Sequence, residues 1–246
     1  MFPPPAEVAA PARRVISIER AGAIFEIILC SGFPTQLLLI AGLRACGMDL
    51  EGTEGGLNPR FVFTVSLLDA VLVVGLVVMF LHARGESARD VLLGRVRLLK
   101  EAFVGIALIP VVFMVVIAIL AIVLTYAPQL HNVTRNPLED MMRNRTDAAI
   151  FAVVVLIAGG VREEVQRGFI VHRFGQYLGG GIVGVLFYSV LFGLGHYEQG
   201  YDAALSTAAL GALWGLVYLR RGSIVAPMVS HAGFNLAQIL KYVALR

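Results

Sequence analysis

The chain has 246 residues, of which 58% are hydrophobic and only 15% charged, and its mean hydropathy is +0.79. That leaves too little polar surface to coat a water-soluble globule, so the composition excludes a soluble enzyme or carrier and points to an integral membrane protein. The net charge of +3 comes from cations spread over many loops, not from one basic patch with interleaved aromatics, which argues against a nucleic-acid partner.

The first residues, MFPPPAEVAAPARRVISIER, are rich in proline and alanine and carry Arg13, Arg14 and Arg20. Residues 1–20 are predicted to be a disordered cytoplasmic tail and residues 21–246 a single transmembrane domain. The segment after the tail is too long for the apolar region of a signal peptide and contains Glu26, so it is read as a retained helix. A membrane-crossing helix needs roughly 20 apolar residues. Segments of that kind are predicted at 21–44, 61–81, 102–126, 148–172, 181–196, 203–219 and 223–243. The expected fold class is all-α, a polytopic bundle of about seven or eight transmembrane helices. Continuous apolar runs such as 111–124 lack the alternation of a membrane β-barrel strand.

Cation placement sets the expected orientation. Arg13, Arg14 and Arg20 precede the first helix, and Arg84, Arg89, Arg95, Arg97 and Lys100 fill the loop after the second, whereas the intervening loop carries Asp49, Glu51 and Glu54 against Arg60. The positive-inside rule then places the amino terminus and the 84–100 loop in the cytoplasm. Arg173, Arg220 and Arg221 fall on the same side; Arg135, Arg143, Arg145, Lys241 and Arg246 fall outside. Cys30 and Cys46, the only cysteines, lie sixteen residues apart on one predicted helix, roughly 24 Å. A disulfide cannot span that gap, and no metal or thiol-redox spacing is present.

Three polar sites interrupt the apolar second half. Ionisable side chains within membrane segments are costly and are retained where they serve a purpose. Glu163 and Glu164 follow Ala158-Gly159-Gly160, small residues that let a neighbouring helix approach. Arg167 lies four residues after Glu163, on the same helix face, where it can hold and orient a carboxylate. His196 ends Phe-Gly-Leu-Gly-His, and His231 and Asn235 share a face in Ser-His-Ala-Gly-Phe-Asn. Counted at about 1.5 Å per residue from the presumed cytoplasmic ends, Glu163, His196 and His231 all fall roughly 12 to 24 Å deep. One buried cavity is expected to gather them, opening to the cytoplasmic side or laterally to lipid. It would hold a carboxylate to take a proton from water, and imidazole and amide donors for a developing oxyanion.

At these residues the sequence resembles the CAAX protease and bacteriocin-processing (Abi) family, which includes the type II CAAX prenyl endopeptidases. The order Glu-Glu…Arg, Phe-x-x-x-His, His-x-x-x-Asn carries the resemblance, which covers roughly 148–240. It implies an intramembrane endopeptidase of the glutamic type acting on a membrane-bound or lipidated protein or peptide. A glutamate and a histidine would activate water while the other histidine and the asparagine form the oxyanion site. By this match the catalytic residues are Glu163, Glu164, His196, His231 and Asn235, with Arg167 orienting. No cofactor is expected: asparagine occupies the i+4 place beside His231 where a zincin-like helix carries its second histidine, so zinc is disfavoured. The implied setting is a multi-pass protein in the bacterial cytoplasmic membrane, with the bilayer and its substrate as partners.

One departure bears on the roles. The family spacing is Glu-Glu-x-x-x-Arg, and here Glu163-Glu164-Val165-Gln166-Arg167 is one residue short. Holding Arg167 in register puts Arg162 and Glu163 at the acidic positions; holding the pair in register requires a deletion before Arg167. Glu163 is the favoured base. The short spacing also leaves a second reading, a non-catalytic membrane partner or bacteriocin-immunity protein with the same peptide-binding cavity. A proton-relaying transporter is disfavoured because no inverted repeat of broken segments is visible. Asp69, mid-membrane in the second predicted helix, is expected to join a buried polar network or to be catalytic. Glu26 is expected to snorkel or pair with Arg20, His82 and His172 to be interfacial, His131 to lie in a loop, and Trp214 to pack.

Overall fold

The computed structural model describes residues 12–52, 56–134 and 136–244. These residues form an all-α bundle without strands: α1 (Ala12–Cys30), α2 (Phe33–Ala45), α3 (Pro59–Ala83), α4 (Leu98–Tyr126), α5 (Arg145–Val155), α6 (Glu163–Tyr177), α7 (Gly181–Leu194), α8 (Tyr201–Arg221) and α9 (Val225–Ala244). Of the expected tail, residues 12–20 belong to α1, and residues 1–11 lie outside the described residues. All seven predicted segments are helical. By length and apolarity alone, α3, α4 and α8 can each cross a membrane, and α1 with α2 makes a fourth candidate.

Two of the segments are not simple rods. The first is broken between α1 and α2 by 41°. Gly32 at the break takes φ 84°, a left-handed conformation that only glycine adopts freely, and Pro34 fits the first turn of α2, where a missing N–H costs nothing. The freed carbonyl of Cys30 is met by the Gln166 side-chain amide at 2.6 Å. Cys30 is buried, Cys46 exposed, and both are free thiols. The second irregularity lies between α5 and α6, which a π-helical segment, Leu156–Arg162, joins into one continuous path. Such wide turns rotate the residues that follow them and occur often at functional sites.

The two ends of the bundle differ in chemistry. At one end lie the connections 84–97, 178–180 and 222–224, tied by Ile224 N–H to the Leu92 carbonyl at 2.8 Å and by Arg221 to Glu101. Here Glu26 pairs with Arg84 and Arg173, each at 2.6 Å, and not with Arg20. Glu86, between α3 and α4, is pushed up by burial, but hydrogen bonds from Arg173, His172 and Gln176 outweigh this and hold it below the usual carboxylate range. At the opposite end the connection 127–144 folds over the α7–α8 turn. His131 contacts Asp202 at 2.7 Å, Asn132 accepts from the Tyr201 N–H at 2.8 Å, and Asn136 donates to Gln199 at 3.3 Å.

Candidate active site

The π-helical segment brings the acid pair to α9. Gly159 and Gly160 sit against it so closely that a Cβ on Gly159 would fall 2.6 Å from Asn235 Nδ2, and one on Gly160 would fall 2.9 Å from Ala232 Cβ. The small residues therefore act as the sequence suggests, allowing close helix approach. Gly159→Ala is expected to push Asn235 out of place and lower turnover more than it lowers the melting temperature, as a comparison of kcat with thermal unfolding will show.

The two glutamates occupy different surroundings. Glu164 is 1% exposed, and its Oε1 is bound both by Arg167 and by His231 Nδ1, the latter at 2.8 Å. Arg167 thus pairs with Glu164, three residues away, and not with Glu163 as the four-residue spacing suggested. Its guanidinium lies 5.2, 4.8 and 5.3 Å from the ring centres of Tyr188, Phe192 and Trp214. Nε and Nη2 of Arg167 have no hydrogen-bond partner, and the electron-rich ring faces partly replace one. Glu163, by contrast, keeps 19% side-chain exposure and faces His231 Nε2 at 3.7 Å and Arg162 Nη1 at 4.0 Å.

The histidines are held in defined orientations. His196 Nδ1 lies 2.8 Å from the Phe192 carbonyl. A carbonyl only accepts, so that nitrogen carries the proton and Nε2 keeps its lone pair. His231 stacks on Trp214 with ring centres 4.1 Å apart, and its Nδ1 is committed to Glu164. Trp214 is thus packing, as expected, but it packs on the site itself and donates to Ser230 Oγ at 3.2 Å. The Phe192 ring touches both imidazoles, at 4.9 Å from His196 and 5.9 Å from His231.

Glu163, His196, His231 and Asn235 line one cavity of about 620 Å³. The fifth candidate, Glu164, lies behind His231, outside the lining. A smaller cavity of about 120 Å³ adjoins it at the α1–α2 break and shares Glu163, Phe192 and His196. The sequence reading expected an opening to the cytoplasmic side or laterally to lipid; the larger cavity does not extend toward the end that carries the 84–97, 178–180 and 222–224 connections. Its remaining lining, including Ser66, Asn136, Glu139, Gln199, Gln238 and Lys241, lies toward the opposite end of the bundle.

Sequence reasoning left the role of one ion pair open and did not anticipate its partner. Asp69 joins a buried network with Arg162, Thr35 and Gln36 and does not line either cavity. Arg162, the residue at the pattern's first acidic position when Arg167 is held in register, is therefore the counter-charge of Asp69 and a neighbour of Glu163. The available signal was the isolated acid in α3, which requires a buried cation. Among the described residues no group of three or more His, Cys, Asp or Glu converges to hold a metal ion.

Searches of curated proteins and of solved structures return no match. A protein-family model does match, described as type II CAAX prenyl endopeptidase Rce1-like, over residues 145–237. That stretch runs from the start of α5 into α9 and contains Glu163, His196, His231 and Asn235. The match suggests intramembrane protease activity in an integral membrane protein, and over residues 145–237 this chain is similar to the Rce1-like type II CAAX prenyl endopeptidases.

Proposed function

We propose that the protein is an intramembrane endopeptidase that hydrolyses a peptide bond in a membrane-associated or lipidated protein or peptide, using water activated by Glu163 and His196. The observation that carries this reading is the convergence of Glu163, His196, His231 and Asn235 on one cavity. Glu163 is the carboxylate of the adjacent pair that lines the cavity, and His196 Nε2 is an acceptor because Nδ1–H is bound to Phe192 O. Glu163 takes the proton as the water oxygen attacks the scissile carbonyl, His196 Nε2 accepts a hydrogen bond that orients that water, and the proton held by Glu163 passes to the departing amine as the C–N bond breaks. His231, anchored through Nδ1 to Glu164, turns Nε2 toward Glu163. Carrying a proton there as well, it donates with the Asn235 amide to the oxyanion formed on the scissile carbonyl. Glu164 and Arg167 act behind this layer: they fix the imidazole but do not touch substrate. The setting proposed is the bacterial cytoplasmic membrane with the amino terminus in the cytoplasm.

The test is incubation of purified protein in proteoliposomes with membrane-anchored peptides, followed by mass spectrometry of new termini. Defined products are expected. His196→Ala and His231→Ala are each expected to lower turnover at least about a hundredfold, the scale of an acid–base or oxyanion group. Arg162 at the pattern's first acidic position supports the alternative, a non-catalytic partner or immunity protein; peptide binding without cleavage by folded wild-type protein would establish it.

Water activation by Glu163 and His196 also predicts independence from zinc. Asparagine, which stands at the i+4 place beside His231, is a poor zinc ligand. Activity is expected to survive exhaustive chelation, with elemental analysis of the active protein showing no stoichiometric zinc. Loss on chelation with recovery on adding zinc would recast the same residues as ligands.

A further inference from the structure

The two cavities meet at the reacting groups. Glu163, Phe192 and His196 line both, whereas His231 and Asn235 line the larger alone. A peptide whose scissile carbonyl oxygen lies on His231 and Asn235 therefore occupies the larger space, and an apolar substrate that fills it expels water from beside the groups that must activate one. Hydrolysis in such a site needs a second place to hold water. The smaller cavity, about 120 Å³, is well below the roughly 300 Å³ of ordinary ligand sites, but it has room for about four waters at roughly 30 Å³ each.

Its walls suit water. Ser31, Gln36, Arg162, Gln166 and Tyr188 line it beside the shared groups. The break between α1 and α2 makes room for two of them: a Cβ on Gly32 would collide with the Arg162 guanidinium and lie 3.5 Å from Gln166 Nε2. Irregular backbone at membrane depth is tolerated where protein encloses it or where it lines water. Several polar atoms here are already engaged, Gln166 Nε2 by the Cys30 carbonyl, Gln166 Oε1 by Tyr188 at 2.9 Å, and Arg162 Nη2 by Asp69. Arg162 Nε is not. It has no hydrogen-bond partner among the described residues, in a residue only 8% exposed. Arg162 Nη1 and Glu163 Oε1 are 4.0 Å apart, too far for a direct hydrogen bond and close enough for one water to bond to both.

Resting on the endopeptidase reading, we infer that the small cavity at the α1–α2 break is a water site that feeds hydrolysis from the side the substrate does not occupy, with Arg162 among its donors. A water held there moves between Glu163 and His196 while the peptide stays in place. Its oxygen bonds to the scissile carbon, and its proton passes to Glu163 and on to the departing amine as the C–N bond breaks. Arg162 is a positioning residue in this step: it holds water, is held by Asp69, and does not touch substrate.

Radiolytic hydroxyl-radical footprinting of the full-length chain in proteoliposomes reads water beside buried side chains without requiring cleavage. Phe169 and Ile170 are neighbours on α6 and each 0% exposed, but of the two only Ile170 lines a cavity, the smaller one. Oxidation of Ile170 and of the buried Tyr188 is expected, with Phe169 unmodified although its ring is more reactive toward the radical. Ser31→Leu and Leu191→Trp fill the small cavity, one from the break and one from α7, at positions that do not line the larger. Each is expected to abolish the Ile170 label and to slow cleavage of a membrane-anchored peptide at least about tenfold with peptide affinity and melting temperature unchanged. Single-turnover rates measured against peptide concentration separate affinity from chemistry. Ile170 and Tyr188 as unreactive as Phe169 in folded wild-type protein would overturn the inference, a result that needs no variant to fold. So would a filled variant that lost the label and kept its turnover. Affinity falling in step with turnover in both variants would assign the small cavity to substrate and overturn it as well. A labelled cavity in protein that cleaves no peptide would instead overturn the endopeptidase reading and leave the water site standing, so the two failures are told apart.

Discussion

Glu163→Gln is expected to lower proteolysis by at least about a hundredfold, the scale of a lost general base, while leaving the protein folded. The amide keeps the shape of the carboxylate but cannot take a proton from water, and Glu163 is the acid of the pair that lines the cavity. Glu164→Gln separates the two roles. Glu164 is 1% exposed and bound by Arg167 and His231, so its loss acts through the position of His231 and through stability. Single-turnover cleavage and thermal unfolding of both variants in the same detergent check this. Near wild-type turnover in Glu163→Gln, with loss in a well-folded Glu164→Gln, would transfer the base to Glu164.

Arg167→Met is expected to be the most destabilising substitution in the cluster, by about 3–5 kcal/mol, the usual consequence of leaving one partner of a buried ion pair uncompensated. Arg167 and Glu164 are each 1% exposed, and three aromatic rings surround the guanidinium. Methionine fills much of the same space but leaves the Glu164 carboxylate with His231 alone. The double variant Glu164→Gln/Arg167→Met removes the uncompensated charge and is expected to recover part of the loss, a non-additivity that a double-mutant cycle measures. Equal melting temperatures for wild type and Arg167→Met would show that the pair contributes no net stability.

The helices and their polar interruptions were legible in the sequence because they depend on local information. Apolar run length identifies membrane segments, and an acid or histidine within such a run stands out by its desolvation cost. The glycines before Glu163 announced close helix contact, and the three motifs announced the resemblance that the 145–237 match carries. The break at Ser31-Gly32 was visible only as Pro34, since whether a helix kinks or breaks depends on what receives its freed carbonyls; Gln166, 136 residues from Cys30, supplies that partner.

The division of labour within the acid pair was decided by tertiary structure. Spacing alone allows Arg167 to meet Glu163 at four residues or Glu164 at three. The outcome follows from which face of α6 is enclosed by Tyr188, Phe192, Trp214 and His231, elements up to 67 residues away from Glu164. Likewise Arg162 acquires its meaning from Asp69, 93 residues earlier. The chain by itself determined a membrane-embedded helical bundle and the residue types available for chemistry, because hydropathy and helical periodicity are properties of contiguous residues. Which carboxylate is wetted, which imidazole nitrogen is free and toward which end the cavity runs were decided only by the packing of helices distant in sequence, because burial and hydrogen-bond partnership arise from contacts that no local pattern encodes.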